Sequence, residues 1–72
     1  SNVETKSTKK QQKLEAEMSK IQARQAELLV ILADSKLYEK SQENKLQLLL
    51  NEQKNNQNKL EALELNWLEL VS

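Results

Sequence analysis

Leu32-Ala33-Asp34-Ser35-Lys36-Leu37-Tyr38-Glu39-Lys40-Ser41-Gln42 decides how this 72-residue chain folds, because here a heptad repeat lapses. With Leu14 as heptad position d, the d sites run Leu14, Ile21, Leu28, Ser35, Gln42, Leu49, Asn56, Leu63 and Leu70. The a sites run Gln11, Met18, Gln25, Leu32, Glu39, Leu46, Gln53, Leu60 and Trp67. Apolar residues hold most sites from Leu14 to Leu32 and again from Leu46 to Leu70, the signature of a helix that buries one stripe. Between them Ser35, Glu39 and Gln42 are polar in succession, and apolar Leu37 and Tyr38 fall off the stripe. Asp and Ser compete with the helical backbone for hydrogen bonds, so Asp34 and Ser35 read as a reversal. The reading is all-α, a two-helix antiparallel coiled-coil hairpin: helix 1 over about 11–33, a turn over 34–40 and helix 2 over about 41–71, with Ser41 as its N-cap. Residues 1–10 carry Ser or Thr at four positions and no apolar period, and read as a flexible linker.

Working outward, the two stripes must choose a register. If Gln25 faces Asn56, then Leu32 meets Leu49, Ile21 meets Leu60, Met18 meets Leu63 and Leu14 meets Trp67, with Leu28 opposite Gln53 as the poor layer. Slipping one heptad leaves only Leu28–Leu46 and Leu14–Leu60 wholly apolar. The slipped register does bring Arg24 near Glu52, where the first brings Arg24 near Lys59. Burial of a large aliphatic side chain is worth about 1.5–3 kcal/mol and an exposed ion pair about 0–1 kcal/mol, so the first register is expected. The heptad phase does not break across the turn, so a continuous helix of ~108 Å pairing between two chains remains as a swapped alternative.

Composition narrows the chemistry. The chain has no Gly, Pro, Cys or His. Average usage would give about five Gly and four Pro. Glycine-cradled phosphate loops, primed-turn hairpins, Cys/His zinc sites and thiol or imidazole catalysis are thereby excluded. Eleven basic residues balance eleven acidic ones, so net charge gives no reason for a polyanionic partner. No apolar run reaches the ~20 residues of a membrane span. Glu61 and Glu64, one turn apart on a two-helix rod, read as surface charges without catalysis. Trp67 reads as a seam residue covering Leu14, and the Asn-rich run 51–59 as a soft helical segment. The chain opens without Met, which reads as an excised fragment with Ser1-Asn2 left from cloning.

Local charge is less even. Lys6, Lys13 and Lys20 share position c, and Lys10 and Arg24 share g, forming one basic stripe along helix 1. Such a stripe is the candidate nucleic-acid-binding site, suited to salt-dependent phosphate contact without base readout. Leu37 and Tyr38 at the tip are a second candidate contact, with the Tyr38 ring capping the hairpin and its hydroxyl wet.

Leu32-Ala33-Asp34-Ser35-Lys36-Leu37-Tyr38-Glu39, followed by Trp67-Leu68-Glu69-Leu70, resembles the C-terminal domain of ABC-F ATPases in its Uup-like and YheS-like branches. The likeness covers roughly Leu14 to Val71, and its specific parts are the Asp-x-x-Leu-Tyr turn and the Trp-Leu-Glu closure. Ser35 stands where many members carry Pro, a form nearer the YheS-like branch. The resemblance implies a cytoplasmic, non-catalytic accessory domain that contributes binding to DNA, ribosomal RNA or the ribosome. It implies no cofactor in this chain, with ATP and Mg bound by cassettes elsewhere in the parent. The expected partners are nucleic acid or ribosome and those cassettes, with no membrane; a monomeric hairpin is expected, and a swapped dimer is the alternative. The rival function is a structural spacer or dimerisation rod with no nucleic-acid contact.

Overall fold

The computed structural model describes residues 2–72, with side chains from Thr8 onward. Two long helices, α1 (Asn2–Leu32) and α2 (Glu43–Val71), fold back on each other through two short 3-10 turns, Ser35–Tyr38 and Lys40–Gln42. The hairpin measures 58 × 15 × 14 Å, about half the length a continuous helix would need.

Heptad arithmetic accounts for the packing. Between Gln11 and Leu70, the exposed a and d residues are Ser35 and Glu39 alone; every other a or d residue is buried or half-buried. Leu28 is 0% exposed, Leu60 7% and Leu37 5%. The layer expected to be poor, Leu28 opposite Gln53, therefore contains the best-sealed side chain. Three g residues close over the seam beside the a and d sites: Arg24, Ile31 and Glu52 are half-buried.

The register is the one that sets Gln25 against Asn56. Asn56 Nδ2 donates to Gln25 Oε1 at 3.2 Å, and Gln25 Nε2 donates to the Gln53 carbonyl at 3.0 Å. Towards the open end, the Trp67 indole N–H donates to Glu15 Oε1 at 3.0 Å and the ring is half-buried. Polar seam residues thus satisfy each other across the helices, and among the described residues no buried side-chain polar atom lacks a partner.

The reversal is written without any residue at positive φ, which is how the chain turns without glycine. The last turn of α1 tightens through Ala33 N–H to both Leu29 O and Val30 O, then Asp34 N–H to Ile31 O. Asp34 leaves the helix at φ −73°, ψ 116°, and its side chain accepts from the Lys36 N–H at 3.0 Å, capping the first 3-10 turn. Glu39, at φ −69° and ψ 150°, is the extended link between the two 3-10 turns. Leu37 swings inward to plug the end of the seam. The Tyr38 hydroxyl donates to the Leu32 carbonyl at 2.7 Å, satisfying one of the orphan acceptors at the end of α1.

Several expectations need correction. Residues 2–10, read as a linker, are helical and continue α1. Helix α2 begins at Glu43, so Ser41 lies within the second 3-10 turn and Gln42 precedes the helix without a side-chain cap. The Tyr38 hydroxyl, expected to be wet, is spent on Leu32.

Candidate nucleic-acid interface

An antiparallel heptad pair has two open sides. The g and c residues of both helices share one side, and the e and b residues share the other. The candidate lysines belong to the g and c side. Lys10, Lys13 and Lys20 are exposed on α1 and form no ion pair among the described residues. The Lys6 side chain lies outside the described residues. Lys45 and Lys59 of α2 are exposed g residues on the same side. The stripe is not purely basic: Glu17 on α1 and Glu69 on α2 join Lys10, Lys13 and Asn66 around a shallow cavity of about 420 Å³ near the open end.

Arg24 is tied into the hairpin itself. Its Nε and Nη2 form a fork on Glu52, at 2.6 Å to Oε2 and 2.9 Å to Oε1. Its Nη1 donates to Glu27 Oε2 at 3.0 Å. All three guanidinium nitrogens are therefore engaged by two carboxylates. Hydrogen bonding from Arg24 holds the Glu52 carboxyl below its ordinary value of 4.5, reinforced by an Asn56 hydrogen bond; the same bonds hold the guanidinium above its own ordinary value. Glu27, Arg24, Glu52, Asn56 and Gln25 form one polar chain across the hairpin, ending on the Gln53 carbonyl. Its job is internal.

This pairing also corrects the register argument. Arg24–Glu52 was assigned to the slipped register and Arg24–Lys59 to the other. The structure combines the apolar layers of the first with the ion pair of the second. An extended guanidinium side chain reaches about one helical turn along the axis, so a charged g residue has a choice of partner that a seam leucine lacks. It takes the opposite charge.

At the tip, Leu37 is buried and drops out as a contact residue, while Tyr38 keeps 58% of its surface exposed beside exposed Lys36. Among the described residues no group of three or more His, Cys, Asp or Glu is arranged to hold a metal ion. None of the described helices is long and apolar enough to cross a membrane. What remains for polyanion contact is the exposed lysine row of α1 with Lys45 and Lys59 alongside. No family model matches the chain, and neither does any curated protein or solved structure.

Proposed function

We propose that this hairpin is a non-catalytic binding arm, of the kind ABC-F ATPases carry at their C terminus, that lays its lysine side on the phosphate backbone of duplex DNA or structured ribosomal RNA in the cytoplasm. The supporting observation is the row of exposed Lys10, Lys13 and Lys20 on one side of a two-helix rod, with no ion pair among the described residues. Lys13 and Lys20 are one heptad apart, about 10 Å along the helix, so their ammonium groups project from the same side of the rod. With two aromatic residues in the whole chain, base stacking plays no part, and binding is independent of sequence. ATP and Mg would be handled by the parent's cassettes and not by this arm.

A titration with duplex DNA and with structured RNA at low ionic strength tests this reading. Binding should weaken as salt rises, with a slope set by the few phosphates neutralised, and should be lost in a Lys10→Glu, Lys13→Glu, Lys20→Glu variant. Absence of a shift at low salt, or binding indifferent to the three substitutions, removes the reading. A purely structural spacer is favoured by one specific observation: Arg24, the half-buried cation of the stripe, is committed to Glu52 and Glu27. In that case the lysines serve solubility alone.

A further inference from the structure

The side opposite the lysines is unlike them. Of the exposed large apolar residues, Leu29, Val30, Leu50, Leu65, Leu68 and Val71 occupy e, b or f positions, and only Tyr38 and Leu48 do not. Half-buried g residues lean the seam toward the lysine side, whereas every e residue from Glu15 to Val71 is exposed. The e side consequently holds an open groove of about 580 Å³ between Ala26 and Leu29 of α1 and Leu50 of α2, flanked by Lys54. The apolar residues form two clusters: Ala26, Leu29, Val30 and Leu50 near the turn, and Leu65, Leu68 and Val71 near the open end. The clusters stand about 24 Å apart along the axis.

We infer that the e side is the docking surface for a second copy of this chain, laid antiparallel so that two hairpins close a four-helix bundle. A two-fold axis across the rod, midway between the clusters, lays α2 of each copy along the partner's α2 and sets Leu50 on the partner's Val71. The surface is self-complementary, as a two-fold contact requires. Charge follows the same operator. Glu64 lies on this side toward the open end, beside the e residue Glu15 that accepts from the Trp67 indole, and Lys54 lies toward the turn; none of the three forms an ion pair among the described residues. The same axis brings Lys54 of one copy to Glu64 of the other, and the lysine sides of both hairpins remain outward. Ala16, Ser19 and Ala23 between the clusters let the helices approach closely.

Sedimentation equilibrium reads the outcome. The expected mass is twice 8.4 kDa, with a maximum dimension near the 58 Å of one hairpin. Leu29→Glu and Leu68→Glu, both at exposed sites, should each weaken association by at least about tenfold while circular dichroism keeps its helical signal. Lys54→Glu should weaken it less, and Glu64→Lys added to it should restore it. A Leu50→Cys, Val71→Cys chain should oxidise to a covalent dimer. A single-chain mass into the millimolar range, a dimer indifferent to Leu29→Glu and Leu68→Glu, or a rod of ~108 Å from swapped continuous helices would each overturn the inference.

Discussion

Leu28 and Gln25 lie one turn apart on the same stripe of α1. Leu28 is sealed completely from water. Gln25 is half-buried and spends its amide on Asn56 and on the Gln53 carbonyl. The apolar level contributes free energy in proportion to the area it hides, but a leucine would be hidden almost as well one heptad along. The polar level contributes little net energy, yet its hydrogen bonds across the helices form in one alignment only. Neighbouring layers thus divide the work: one holds the helices together, the other says where.

That division can be broken at its strong side first. Leu28→Ala should destabilise the hairpin by about 2–5 kcal/mol, read by urea denaturation, because the truncated site loses both transfer energy and packing. A cost under about 1 kcal/mol would mean that the level is not the anchor it looks. Next, Asn56→Ala should cost about 1–3 kcal/mol by leaving the Gln25 amide short of a partner. Replacing Gln25 and Asn56 together by Leu should behave differently: stability is kept or raised, and cysteine pairs for both registers then crosslink. A smaller effect sits at the turn, where Tyr38→Phe removes the hydrogen bond to Leu32 and should cost about 0.5–1.5 kcal/mol without altering the register. The smallest belongs to Glu52. Its carboxyl is held below its ordinary value of 4.5 by Arg24, so the stability it adds is complete above 4.5 and is lost as pH falls through the folded value. The difference in Tm between the native chain and Glu52→Gln should accordingly narrow only in acid, a difference that added salt also shrinks.

The seam was fully legible because a period of seven needs only apolar spacing to be read. The pairing of Gln25 with Asn56 was legible for a related reason: two polar seam residues cost least when they meet. The partner of Arg24 was not, since a flexible charged side chain can reach more than one level and electrostatics, not spacing, chooses among them. Leu37 gave no periodic signal either. It occupies an off-seam position that faces inward only because the 3-10 turns rotate the chain there. Helix over residues 2–10 was missed because these polar residues carry no apolar stripe, and continuation from the helix behind them, which needs no new nucleus, outweighs their modest propensity. Within the candidate interface, the lysines were legible as a stripe, but the pairing of Arg24 with Glu52 required the opposite helix.

The central claim is a hairpin whose register is set by Gln25 and Asn56. Disulfide trapping tests it most directly, with Ile21→Cys and Leu60→Cys introduced together and the oxidised chain weighed. The account predicts rapid closure within one chain, at the mass of a single copy. Crosslinking that instead favours Ile21→Cys with Gln53→Cys, or that joins Ile21→Cys to Leu60→Cys only between chains, would contradict it.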